Sequence, residues 1–335
     1  MSDGAPAIER GTVGGASFRA VGIAVGHATD ADGATGVTVV LGVSGPLRGG
    51  VAVVGRATGT RELHALSPDH LVDRIDAIML TGGSAYGLDA AAGVMRWMEE
   101  RGRGLPVPGG FVPIVPAAVI FDLAPLGRYD ARPTAQMAYD AAARASADDV
   151  GEGSVGAGTG ATVGKATGPA FAMKGGVGCA ASSSGGVHVA ALAVVNALGD
   201  VRDGAGRIIA GARAAAGGFA DSARVIASGP AAPPALGRAV GHATTLAVVA
   251  TNVALARSQL RQLAQAASAA LYRRITPTGT SFDGDVVFAL GAMEGPPAPA
   301  MQVEALAVDA LERAIERAVR TARGRDGIPG LGDER

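Results

Sequence analysis

An Ala/Pro/Gly-rich tract, Ala227-Ser228-Gly229-Pro230-Ala231-Ala232-Pro233-Pro234, leads toward the run Gly241 to Asn252, and this contrast constrains the chain more than any other feature. The tract cannot hold helix or strand, because proline fixes φ and lacks an amide proton. The run Thr244-Thr245-Leu246-Ala247-Val248-Val249-Ala250-Thr251 is rich in β-branched residues and reads as a buried strand. A hydroxyl where a loop enters a core strand is held rigidly, as a nucleophile must be. Taken alone, Thr244 and Thr245 read equally as plain β-formers.

Past the strand, Ser258 is positioned to cap a helix with Leu260, Leu263, Ala264, Ala267 and Leu271 on one face, and Pro277 stops it. Ser281-Phe282-Asp283-Gly284-Asp285-Val286-Val287-Phe288 then sets two carboxylates around a glycine at the mouth of another strand. The order Thr-Thr-strand, helix, Pro, Phe-Asp-Gly-Asp-strand resembles the self-cleaving amidases that include DmpA-type aminopeptidases, β-peptidyl aminopeptidases and nylon-oligomer (6-aminohexanoate) hydrolases. The likeness covers most of residues 15–320. It implies a single amidase domain over residues 1–335, cut between Ala243 and Thr244 into segments 1–243 and 244–335, with Thr244 as the new amino-terminal nucleophile. Periodicity alone gives α/β or α+β with a large sheet. The resemblance implies a four-layer α-β-β-α sandwich, shared with ornithine acetyltransferases, and a homo-oligomer such as a tetramer of αβ pairs.

Composition sets outer limits. With 52 Gly and 4% aromatic residues, a core drawn from the 48% hydrophobic residues must use small aliphatics and tight turns. The net charge of -1 offers nothing to nucleic acid or an anionic membrane. One cysteine, Cys179, excludes an intrachain disulfide. The five histidines lack metal-ligand spacing, so neither metal nor cofactor is expected. Met1 to Arg10 does not read as a signal peptide and no apolar run reaches a membrane span, so a cytoplasmic protein is the expectation.

Along the chain, residues 1–14 read as a loose lead-in, and 17–25, 36–43 and 51–54 as strands. The strand 77–80 enters a glycine elbow, Thr81-Gly82-Gly83-Ser84-Ala85-Tyr86-Gly87, followed by a helix with Leu88, Ala91, Ala92, Met95 and Met98 on one stripe. The elbow is no Gly-x-Ser-x-Gly, since Tyr86 stands at the last glycine. Residues 117–121 read as a strand and 134–147 as a helix. Gly156-Ala-Gly-Thr-Gly-Ala-Thr-Val-Gly164-Lys165 departs twice from a phosphate-binding loop: Thr159 replaces its first glycine and Ala166 its final hydroxyl. Residues 175–186 read as a Gly/Ser loop and 187–195 as a strand ending in Asn196. A carboxy-terminal helix carries Val308, Leu311, Ile315 and Ala318 on one face, and residues from 324 onward look frayed.

The resemblance assigns roles. Lys165 faces the nucleophile, Asn196 binds an oxyanion together with N–H groups of the elbow, and Asp283 and Asp285 orient Thr244 and its amine. Gly83 and Tyr86 belong to the substrate pocket, whose loops run around Tyr86, Asp122 and Ser182. Asp122 either meets a substrate ammonium or caps a turn. An amino-terminal threonine carries its own base, an α-amine of pKa about 7.7–8. His242, beside the cut, reads as incidental. The nylon-hydrolase branch has Asn before its nucleophile, so Ala243 leaves the scissile carbonyl without a side-chain donor. Either cleavage is slow, or the alanine was introduced to trap the precursor. The expected activity is hydrolysis of peptide-like amides by an aminopeptidase or nylon-oligomer hydrolase. The alternatives are an ornithine-acetyltransferase-type acyl transfer and an uncleaved, non-catalytic binding protein.

Overall fold

The computed structural model describes residues 8–11, 16–229 and 243–334. His242, most of the Pro-rich tract and much of the expected lead-in lie outside them. The chain forms β1 (Glu9–Gly11), the hairpin β2 (Ile23–Asp30) and β3 (Thr35–Gly42), then β4 (Arg48–Val53) and the short β5 (Thr60–Arg61). β6 (Ala77–Thr81) passes through the elbow to α1 (Ala91–Glu99), and β7 (Ala117–Val119) is followed by α2 (Ala135–Ala143). A second hairpin, β8 (Gly176–Ser184) and β9 (Val187–Asn196), precedes β10 (Thr244–Thr251). The order closes with α3 (Arg257–Ala267), α4 (Ala269–Arg274), β11 (Val286–Gly291) and α5 (Ala300–Arg320).

Two sheets carry the architecture, in the orders β1-β8-β9-β10-β11-β4 and β2-β3-β6-β7-β5. β10 and β11 run parallel through the α3–α4 crossover, whereas β9 and β10 are antiparallel. Period-two alternation sorts the side chains into three cores. Leu246, Val248, Val286 and Phe288 pack between the sheets with Ile78 and Leu80 of β6. Ala247, Val249 and Val287 face α3, α4 and α5 on one outer side, and Val37, Val39 and Met79 face α1 and α2 on the other. The layers are thus α-β-β-α, as the resemblance implies. Small residues let them close. A Cβ at Gly178 of β8 would lie 2.1 Å from the Ala314 carbonyl oxygen of α5, so that strand can meet that helix only without a side chain.

Several local readings change. Residues 176–184 are a strand, because its glycines and alanines lie between α5 and the middle core where larger residues would not fit. Residues 16–20 form a helical turn and the first long strand begins only at Ile23. The helix after β10 starts beyond Ala256, whose N–H donates to the Gln259 side chain at 3.0 Å, so Ser258 sits inside the first turn rather than capping it. The segment after 324 is anchored: Gly324 N–H donates to Asp333 at 2.9 Å, and Pro329 O accepts the Lys174 N–H at 2.9 Å.

Candidate active site

Ladder register creates the centre of the site. Thr244, first residue of β10, lies opposite Asn196, last residue of β9. The alternation that sends Leu246 and Val248 between the sheets sends Thr244 the same way, and turns Thr245 toward the helices with Ala247. Thr244 is buried, and its hydroxyl donates to the carbonyl oxygen of Ala243 at 2.7 Å. That oxygen also accepts the Gly284 N–H at 2.8 Å, within a parallel bridge between Ala243 and Asp283. A Cβ on Gly284 would stand 2.7 Å from both Thr244 Oγ1 and the Ala57 carbonyl oxygen, so only glycine brings this amide so close.

The carbonyl before Thr244 therefore has a backbone donor, although the side chain at 243 supplies none. The Ala243 methyl is instead buried against Leu198, Ile226 and Phe282.

Lys165 enters from the glycine-rich segment and is buried. Its Nζ donates to Asn196 O and Asn196 Oδ1, each at 2.8 Å. Oδ1 also accepts the Thr162 N–H at 3.0 Å, while Nδ2 donates to Phe121 O at 3.0 Å. These donors fix the amide orientation, so the oxygen of Asn196 faces Lys165. Burial drives the Lys165 ammonium down to about 7, opposed by the pull of Asp283. Asp283 Oδ2 accepts the Thr280 N–H at 2.8 Å and the Thr280 hydroxyl at 2.7 Å. Asp285 Oδ1 accepts the Thr245 N–H at 2.6 Å, and its Oδ2 takes the Thr278 hydroxyl at 2.8 Å and the Gly279 N–H at 3.1 Å. Burial raises both carboxyls; for Asp285, with Asp283 adding its charge, the value reaches about 7.

The five residues singled out at the centre are thus linked at one strand entry: Asn196 lies opposite Thr244 and holds Lys165, Asp285 holds the Thr245 N–H, and the Asp283 backbone bridges to Ala243. The outer assignments divide. The elbow amides are already engaged: Gly82 N–H with Gly36 O at 2.9 Å, Gly83 N–H with Asp122 Oδ1 at 2.7 Å and Ser84 N–H with Ile120 O at 3.0 Å. These three are not free to meet an oxyanion, whereas Gly284 N–H is a backbone donor at the Ala243 carbonyl. Gly83 adopts φ +81, a left-handed turn that suits glycine. Asp122 is buried, its second oxygen accepts the Thr35 hydroxyl at 2.7 Å, and burial raises its pKa to about 6. Of its two readings the turn cap fits. Tyr86 is 51% exposed at the elbow. Ser182 is not in the site: it sits near the far end of β8, where its hydroxyl donates to Asp309 at 2.7 Å.

Sequence reasoning missed Lys174. Its Nζ is buried and donates to Thr159 O at 2.9 Å and Ala161 O at 2.8 Å, which pins the segment that presents Thr162 to Asn196. Burial pushes this ammonium down to about 7 as well. The one cue was a lysine ahead of two glycines, Lys174-Gly175-Gly176.

An uncharacterised aminopeptidase of Mycobacterium tuberculosis is 43% identical, over 92% of this chain and 94% of its own. A 6-aminohexanoate-oligomer endohydrolase of Kocuria sp. is 33% identical over 80% of this chain and 72% of its own. The L-aminopeptidase D-Ala-esterase/amidase of Ochrobactrum anthropi, described as a variant of the Ntn hydrolase fold, superposes with a TM-score of 0.67 at 21% identity, covering 95% of this chain and 90% of that one. The model of peptidase family S58 matches residues 20–331. The chain belongs to peptidase family S58 and is a hydrolase of peptide or amide bonds.

Proposed function

We propose that this hydrolase cuts itself between Ala243 and Thr244 and then hydrolyses small peptide-like amides through an ester on Thr244. The observation that carries the reading is the shared contact at the Ala243 carbonyl, which meets the Thr244 hydroxyl and the Gly284 N–H together. In the precursor, Thr244 Oγ attacks the carbonyl carbon of Ala243, and Gly284 N–H holds the negative charge that develops on its oxygen. Lys165, poised near neutral pH, takes the hydroxyl proton and returns it to the departing nitrogen of Thr244. Water then cleaves the ester, leaving segments 1–243 and 244–335.

The freed α-amine of Thr244 acts as base in turnover. It takes the hydroxyl proton as Oγ attacks the substrate carbonyl and gives it to the leaving amine; water then releases the acid. The Lys165 charge keeps that amine from holding its proton too tightly. Asp285 fixes the strand entry through Thr245 N–H, and Asp283 balances Lys165.

Aminopeptidase and 6-aminohexanoate-oligomer endohydrolase, the activities named for the relatives, define the substrate range to be tested. We place the enzyme in the cytoplasm as a homo-oligomer of cut pairs. Among the described residues no helix is long and apolar enough to cross a membrane. Intact-mass spectrometry of the purified protein over time, with hydrolysis of amino-acid p-nitroanilides, β-peptides and 6-aminohexanoate oligomers measured on the same samples, tests the proposal. Two fragments, the smaller starting at Thr244, are expected, with activity tracking the cut fraction. Full activity in uncut chain would overturn it.

A further inference from the structure

Four cation–π arginines outside the catalytic centre invite comparison. Arg96 lies over Tyr139 at 4.6 Å and donates to Gln136 at 2.8 Å. Arg101 lies over Trp97 at 4.4 Å and donates to the Trp97 carbonyl at 3.0 Å. Arg103, 5.8 Å from the same ring, donates to Gly42 O at 2.6 Å. Arg132 differs. Its guanidinium carbon is 3.5 Å from the centroid of Tyr86 and 5.4 Å from that of Tyr129, yet its buried Nε has no hydrogen-bond partner among the described residues. Among the described residues no carboxylate pairs with it; the neighbouring Asp130 is engaged by Arg128 at 3.6 Å.

The position of this cation matters as much as its lack of an acceptor. Pro133, next in the chain, abuts Gly83, where a Cβ would come within 2.7 Å of the proline ring. Tyr86 belongs to the turn Ser84–Ala90, whose first amide is tied to Ile120 O, while Phe121 O is tied to Asn196, the strand partner of Thr244. Tyr86 and Tyr129 are 51% and 63% exposed, so the clamp opens to solvent at the elbow. Two aromatic faces hold the planar fork in one orientation. A planar guanidinium so held matches a carboxylate through two parallel hydrogen bonds.

We propose that Arg132 is a specificity-determining residue that binds a free carboxylate of the substrate. The site then takes amides with an unblocked carboxyl end, such as short peptides or ω-amino acid oligomers. This deepens the amidase reading above and rests on it. Asp122, whose oxygens are taken by Gly83 and Thr35, offers no competing site for a substrate ammonium.

The test uses matched pairs, Ala-Ala with its C-terminal amide and the 6-aminohexanoate dimer with its C-terminal amide. Initial rates are measured on the purified protein, Arg132→Gln and Arg132→Lys. Wild type should favour the free acid in KM. Arg132→Gln should raise KM for the acid about 10–100-fold, the range expected for a charged hydrogen bond, and bring it level with the amide. Arg132→Lys, which keeps charge and loses the fork, should fall between. Equal losses on acid and amide would assign Arg132 to packing, and an unchanged acid preference in Arg132→Gln would remove it from recognition; either result overturns the proposal. If wild type hydrolyses neither member, these two amides leave the proposed substrate range. Calorimetric titration of the same pairs then decides the inference separately: acid binding that Arg132→Gln abolishes supports it, and no acid preference overturns it.

Discussion

Replacing Gly284 by alanine tests the chemistry at the Ala243 carbonyl. The added Cβ would lie 2.7 Å from Thr244 Oγ1 and 2.7 Å from the Ala57 carbonyl oxygen, a backbone atom that cannot swing aside. Relief to an ordinary carbon–oxygen contact needs a shift on the order of 0.6 Å. Directed away from Thr244, that shift carries the Gly284 N–H from 2.8 Å to roughly 3.4 Å from the Ala243 oxygen, beyond a useful hydrogen bond. Removing one preorganised donor to an oxyanion costs about 2.7–4 kcal/mol, or ~100–1000-fold in rate. Gly284→Ala should therefore persist as full-length chain on a time scale where the parent has become two fragments. The assay is intact-mass spectrometry over time, with a thermal melt on each sample to verify that the variant is folded. A folded Gly284→Ala that cleaves at the parental rate would refute the assignment of this amide as the donor.

Other expectations follow from neighbouring contacts. Thr244→Ala should abolish both cleavage and turnover, whereas Thr245→Val should retain both; because the Thr245 hydroxyl is buried without a partner among the described residues, the valine should also raise the melting temperature slightly. Ala243→Asn should not accelerate cleavage, since the carbonyl already has its donor, and burying an amide beside Leu198 and Phe282 should lower the melting temperature, with a cost of about 1–3 kcal/mol; faster cleavage would reinstate a role for the side chain. Lys174 has its folded pKa depressed from 10.5 to about 7, so between those values the unfolded chain binds more protons and stability contributed at this site rises with pH. Chemical denaturation from pH 7 to 10 should show wild type gaining on Lys174→Met by at most about 1.4 kcal/mol per pH unit. A pH-independent difference would mean the lysine titrates normally.

The elements around Thr244 were legible because each is encoded locally. Thr244-Thr245 ahead of a β-branched run, Phe282-Asp283-Gly284-Asp285 ahead of another, and Lys165 after packed glycines are short patterns with their own geometry. The misread stretches lack such local signals. Residues 176–184 offer few β-formers, and they form a strand because α5 packs against their bare backbone. Ser182 shares that Gly/Ser character, and only the β8–β9 register shows it far from Asn196.

What the sequence determined by itself was the order of strands and helices around Thr244, since helix and strand periods are set by near neighbours, while the resemblance singled out the residues that gather there. Tertiary structure alone decided how those residues are used. Asp283 and Asp285 stood out as carboxylates, yet the glycine between them presents its amide to the Ala243 carbonyl, a relation fixed by the parallel pairing of β10 with β11. Lys174, which no sequence pattern singled out, is a buried clasp because the folded chain brings two carbonyls to it. Hydrogen bonds between distant segments depend on register and layer spacing, and those arise only when the two sheets close on each other.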